Sequence, residues 1–167
     1  IPFELGIIRS HYVGRTFIEP SQTIRQFGVK LKHSVNRSCI EDKRVILIDD
    51  SIVRGTTASK IVKMVYEAGA KEVHLGISCP PIKHPDFYGI DTPNYNELIA
   101  SKSSIEEMTK LVGAKSLFFL SLNGTYKAMG YNERNKELPQ FTDHCFTGEY
   151  PIDISEILKI NSYDASR

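Results

Sequence analysis

No stretch of this sequence approaches the roughly 20 consecutive apolar residues that a membrane-spanning helix requires. Neither sign of charge is in excess: 21 Lys and Arg stand against 20 Asp and Glu, a net of +1. Nucleic-acid and membrane-surface binders concentrate positive charge on one face, so this balance argues against both classes. The first residues, IPFELGIIRSHYVGR, carry neither the charged start nor the small-residue cleavage pattern of a secretory signal. Cysteine is scarce as well. Cys39, Cys79 and Cys145 are odd in number and show no CxxC spacing, so no disulfide framework is expected and a reducing cytoplasm fits best. Neither GxxxxGK nor GxGxxG occurs, and no Ser/His/Asp set is evident.

What is present suits one domain with a real core, in a chain of 167 residues without repeats or low-complexity tracts. Residue 1 is Ile, and IPFELGIIRS reads like the middle of a domain, so a piece of a longer polypeptide is expected. Residues 3–8 predict a buried strand. Residues 9–41 are polar and weakly periodic, with many cations, a pattern usually functional or mobile. Residues 44–48 are Val/Ile/Leu-rich without alternation, which predicts a central strand buried on both faces. A helix follows over 58–68, with Ile61, Val62, Val65 and Tyr66 at helical spacing and Gly69 as its stop. Residues 71–79 predict a third strand closed by Pro80 and Pro81, completing a right-handed βαβ unit. A helix over 104–112, a strand over 116–122, a loop over 131–150 and a short helix over 152–160 complete the pattern. The expected fold is α/β, a mostly parallel sheet flanked by helices.

The chemistry concentrates in residues 45–57, VILIDDSIVRGTT. Four apolar residues lead to the carboxyl edge of the sheet, where open α/β folds bind their ligands. Asp49 and Asp50 stand at that edge, an acidic pair suited to ribose hydroxyls or to a hydrated Mg²⁺ carrying a diphosphate. Arg54, Gly55, Thr56 and Thr57 open the next helix, where backbone N–H groups, two hydroxyls and the helix dipole form an anion cradle. An acidic pair after a buried strand can also be a plain solvated turn. Acids for a sugar and amides for a phosphate at the two ends of one turn favour the ligand reading.

This run resembles the PRPP (phosphoribosyl diphosphate) signature of type I phosphoribosyltransferases. Around it, HYVGRTFIEPSQ (11–22), PPIKHPDFYGIDTPNYNELIA (80–100), SLNG (121–124) and CFTGEYP (145–151) resemble the glutamine phosphoribosyl-diphosphate amidotransferases, over about residues 1–152. Residues 1–152 are then the phosphoribosyltransferase domain and 153–167 a C-terminal helix and tail. The resemblance implies a fold incomplete at its N-terminus, without the family's glutaminase domain or its upstream diphosphate loop. It implies a reaction in which ammonia from glutamine displaces diphosphate from C1 of PRPP, the first step of purine synthesis; the alternative readings are a regulator that binds PRPP or a nucleotide, or an inactive truncated fragment. It also implies Mg²⁺, feedback by purine nucleotides and a homo-oligomer.

Carried over residue by residue, Asp49 and Asp50 match the ribose and Mg²⁺ positions, and Ser51, Ile52, Val53, Arg54, Gly55, Thr56 and Thr57 match the 5′-phosphate loop. RSHYVGRTF resembles the loop that folds over PRPP, with Arg9, Tyr12 and Arg15 as the residues that reach the ligand. Lys30, Lys32 and Arg37 are expected to be solvated surface, Tyr88 packed, and His74 structural. His84 and His144 lie in loops with no partner at ligand spacing and receive no role. Some family members carry an iron–sulfur cluster held by cysteines at positions that here read Asp86, Thr142 and Cys145. One thiol cannot hold a four-thiolate cluster, so none is expected.

Overall fold

The computed structural model describes residues 1–9, 33–90, 92 and 94–155, and of Arg9 only the backbone. Two short strands, β1 (Ile7–Arg9) and β2 (His33–Val35), pair antiparallel with Ile7 opposite Val35 and Arg9 opposite His33. One helical turn, α1 (Arg37–Ile40), leads from them into the main sheet. The sequence expectation of a strand over 3–8 therefore holds only at its end. Ile1, Phe3 and Leu5 lie exposed outside any strand.

The main sheet is parallel, in the order β3 (Arg44–Asp49), β4 (Glu72–Ile77) and β5 (Ser116–Phe119). Helix α2 (Thr56–Glu67) connects β3 to β4. A 3₁₀ turn (Tyr95–Glu97), α3 (Ile99–Lys102) and α4 (Ile105–Val112) precede β5, which α5 (Leu122–Ala128) and α6 (His144–Thr147) follow. Side chains alternate across a strand, and the register stacks Val45 beside Val73 and Leu47 beside Leu75 and Leu117. Against that column α2 sets Ala58, Val62 and Val65, and α4 sets Met108 and Val112, all at 3–4-residue spacing and all in one buried cluster. Helix α4 is fixed at both ends. Ser104 and Glu107 form a reciprocal capping box, and Gly113 closes the helix in the left-handed region.

The position of β3 corrects the sequence reading. Among the described residues β4 is the central strand and β3 an edge strand. The apolar residues on its second face, Ile46 and Ile48, are exposed, Ile48 to 65%, together with Phe118 of β5. An unalternating apolar run reports that both faces avoid water in some context, and cannot say which neighbour covers each. The strand predicted over 116–122 also ends earlier, at Phe119. Ser121 accepts a hydrogen bond from the N–H of Gly124 at 3.0 Å and so starts α5. Most of the helix expected over 152–160 lies outside the described residues.

Candidate functional site

Strand β3 delivers Asp49 and Asp50 to the carboxyl edge of the sheet. Asp49 is half-buried, and the N–H of Asp50 donates to its Oδ1 at 3.0 Å. Asp50 is exposed and accepts from the Ser51 hydroxyl at 3.1 Å. Burial raises the Asp49 carboxyl above its ordinary value. The Asp50 N–H opposes that rise, the Asp50 charge adds to it, and the charge of His33 opposes it. Two like charges at one strand end make a place that gains from a divalent cation.

The turn then changes character. The Ile52 side chain is buried to 2% exposure, so only its backbone can face a ligand. Gly55 sits at φ +76°, a left-handed conformation that a side chain strains, and a Cβ there would stand 3.1 Å from Ile99 Cδ1. No side chain caps α2 at this end. The first N–H groups of a helix have no intrahelical acceptor, and those of Thr56 and Thr57 are left beside two exposed hydroxyls. Arg54 reaches across to Glu97 at 2.7 Å.

The expected lid residues fare differently. Tyr12 and Arg15 lie outside the described residues, as do Lys30 and Lys32. Arg9 ends β1 opposite His33. Since His33 acts electrostatically on Asp49, this end of the hairpin lies towards the acidic pair. Arg37 pairs with Glu41 at 2.8 Å on exposed surface, as a solvated residue should. His74 bonds Ser116 at 2.7 Å and Glu72 at 3.3 Å, a structural role.

A second constellation was missed in the sequence. His144 is not without a partner: it is buried, its Nε2 donates to Asp86 Oδ1 at 2.7 Å, and its Nδ1 has no hydrogen-bond partner among the described residues. Asp86, His144 and Cys145 offer ligand atoms within 4.8 Å of one another. The second oxygen of Asp86 accepts the N–H groups of Tyr88 and Ile90 at 2.9 and 2.7 Å. Burial pushes this carboxyl up, but those N–H groups and His144 together hold it below the usual range. The Cys145 thiol is pushed up to about 11 by burial, with the Asp86 charge adding to the rise. Tyr88 packs edge-on to His144 at 5.0 Å, and Tyr150 donates to the Pro85 carbonyl at 2.7 Å. A four-thiolate cluster does not fit these residues, where Cys145 is the one thiol beside a carboxylate already filled by N–H donors.

Comparison with known proteins decides the family. No family model matches the chain. The amidophosphoribosyltransferase of Rhizobium etli is 64% identical over 152 residues, covering 90% of this chain and 31% of that protein. The chain belongs to the amidophosphoribosyltransferase family. A chloroplastic amidophosphoribosyltransferase of Arabidopsis thaliana is 54% identical over 157 residues, 94% of this chain and 27% of its own length. Among solved structures, the Bacillus subtilis glutamine PRPP amidotransferase complexed with ADP and GMP superposes with a TM-score of 0.79 at 53% identity. That match covers 93% of this chain and 34% of the other. The chain thus spans about a third of the length of the amidophosphoribosyltransferases it matches, corresponding to their phosphoribosyltransferase part.

Proposed function

We propose that this chain binds PRPP on the turn from β3 to α2 and carries the ammonia-transfer half of the amidophosphoribosyltransferase reaction, the first step of purine synthesis. In that half-reaction ammonia attacks C1 of PRPP, diphosphate leaves, and 5-phosphoribosylamine forms. The observation that carries the reading is the acidic pair Asp49–Asp50 lying one turn before an uncapped helix start at Gly55. The carboxylates face the ribose hydroxyls, and the N–H groups of residues 51–57 take the 5′-phosphate. Asp49 and Asp50 would also hold Mg²⁺, which supplies charge neutralisation for the diphosphate when bound. Arg9, Tyr12 and Arg15 cover the ligand, neutralise the departing charge and keep water from C1.

Residues 1–152 form the domain in this reading, with 153–167 as a tail. Purine nucleotides act as feedback ligands, a reading supported by the ADP and GMP held by the Bacillus subtilis relative. A homo-oligomer fits the exposed apolar face of Ile46, Ile48 and Phe118. No helix among the described residues is long and apolar enough to cross a membrane. The cytoplasm is proposed from the three free thiols. No iron–sulfur cluster is proposed, given the residues at positions 86, 142 and 145.

Calorimetric titration of PRPP with Mg²⁺ tests the site. Micromolar binding by the chain, abolished in Asp49→Asn/Asp50→Asn, is expected. Unchanged binding in that variant would overturn the assignment.

A further inference from the structure

The junction of Asp86, His144 and Cys145 takes no part in the proposed PRPP chemistry, yet it holds polar atoms without partners. The His144 ring is 4% exposed, and its Nδ1 has no hydrogen-bond partner among the described residues. The half-buried Cys145 thiol makes no hydrogen bond there either. Leaving a buried polar atom unpaired costs stability, so folded chains rarely keep one without a role.

Asp86 is the opposite case. Its Oδ1 accepts from His144 Nε2 at 2.7 Å, and its Oδ2 accepts the N–H groups of Tyr88 and Ile90. The proton on Nε2 leaves Nδ1 with a bare lone pair, the form of imidazole that ligates a metal. Ligand atoms of the three residues lie within 4.8 Å of one another. The backbone is held in place as well, since the Cys145 carbonyl accepts the N–H groups of Lys83 and His84. The rings of Tyr88 and Tyr150 pack on His144, each with centroids 5.0 Å away, and give the cluster an aromatic wall. A carboxylate that fixes the far nitrogen of a histidine is the usual outer partner of a metal-bound imidazole. An imidazole and a thiolate are borderline-soft donors, which suit zinc and not magnesium or calcium.

We propose that His144 Nδ1 and Cys145 Sγ bind one Zn²⁺, with Asp86 as the positioning residue behind the imidazole and water completing the coordination. The thiol gives its proton to solvent as the Zn–S bond forms. This site is separate from Asp49 and Asp50, whose oxygen donors suit Mg²⁺.

Co²⁺, a spectroscopic stand-in for Zn²⁺, titrated into the full chain after chelator treatment in reducing buffer is the test. One equivalent is expected to raise a thiolate-to-cobalt charge-transfer band, which Zn²⁺ bleaches and excess Mg²⁺ does not. Cys145→Ser, which leaves the Asp86–His144 pair in place, should abolish the band. Cys39→Ser/Cys79→Ser should keep it, as should Asp49→Asn/Asp50→Asn. Asp86→Asn should weaken Zn²⁺ binding about 10–100-fold while the band survives. No band in a chain that melts cooperatively, or a band that outlasts Cys145→Ser, would overturn the site. Unchanged Zn²⁺ affinity in His144→Gln would also overturn it, leaving an adventitious ion only. Unchanged Zn²⁺ affinity in Asp86→Asn would overturn the part given to Asp86.

Discussion

Asp86 and His144, 58 residues apart in sequence, meet at 2.7 Å and fasten the loop after β4 to the start of α6. The carbonyl of Cys145 reinforces the junction by accepting the N–H groups of Lys83 and His84 at 2.9 and 3.1 Å. Removing one side of a buried polar pair leaves the other unsatisfied, at about 1–3 kcal/mol. Asp86→Ala is therefore expected to lower unfolding free energy by about that much in urea titration, and Asp86→Asn by less. A loss below about 0.5 kcal/mol for Asp86→Ala would show that the junction does not hold the loops.

A neighbouring pair is nearly as well enclosed. Arg134 and Asp143 have side chains 9% and 6% exposed, and Tyr126 donates to the same carboxylate at 2.7 Å. Breaking a buried ion pair from one side commonly costs about 3–5 kcal/mol. Arg134→Met should reach that range in urea unfolding, because Asp143 would be left charged and buried. A cost under about 1 kcal/mol would mean that water replaces the guanidinium.

The two buried carboxylates also set an acid limit. Asp86 and Asp143 both titrate below the usual Asp value of 3.8, since their hydrogen-bond donors outweigh burial. A depressed folded value contributes stability that is fully present above the unfolded value and is lost as pH falls through the folded one. Unfolding free energy should thus decline from about pH 4 downwards. The decline should be shallower in Asp143→Asn. A wild-type curve flat to pH 2 would contradict the assignment.

Gly55 and Gly113 provide a matched comparison. Both lie in the left-handed region, at φ +76° and +75°, but a Cβ on Gly55 would press Ile99 whereas one on Gly113 meets open space. Each change to Ala should cost about 1–2 kcal/mol of conformational strain. PRPP affinity should fall at least tenfold in Gly55→Ala and remain unchanged in Gly113→Ala. Equal affinities in the two variants would detach Gly55 from the ligand.

Iron and acid-labile sulfide assays on anaerobically purified protein should find substoichiometric amounts. Stoichiometric iron with sulfide would require ligands other than the residues that stand at 86, 142 and 145.

The motif at 45–57 was legible because its parts are contiguous: one strand, one turn and one helix start carry all its chemistry. Its context was not. Whether Ile46 and Ile48 face a core depends on strand order, which local apolarity does not encode. The Asp86–His144 junction joins a loop to a single helical turn, neither with a period to reveal it. Helix α5 carries Asn123 and Gly124 and little apolar repeat, and its sign was the Ser121 cap, which lacks the Glu that marks Ser104. The conformation of Gly55 was foreseeable in kind, since a strand must reverse into a helix there, but its contact with Ile99 required the fold.

The middle place of β4 has a bearing on how the chain acquires its shape during synthesis. Both parallel ladders are built on this one strand, and each closes only after a long crossover has been laid down, a slow and non-local step. A chain emerging from its N-terminus can finish β3–α2–β4 while β5 is still unmade. Until Leu117 arrives, Leu75 has half of its flanking column missing, so this is the interval in which a nascent chain most needs shielding.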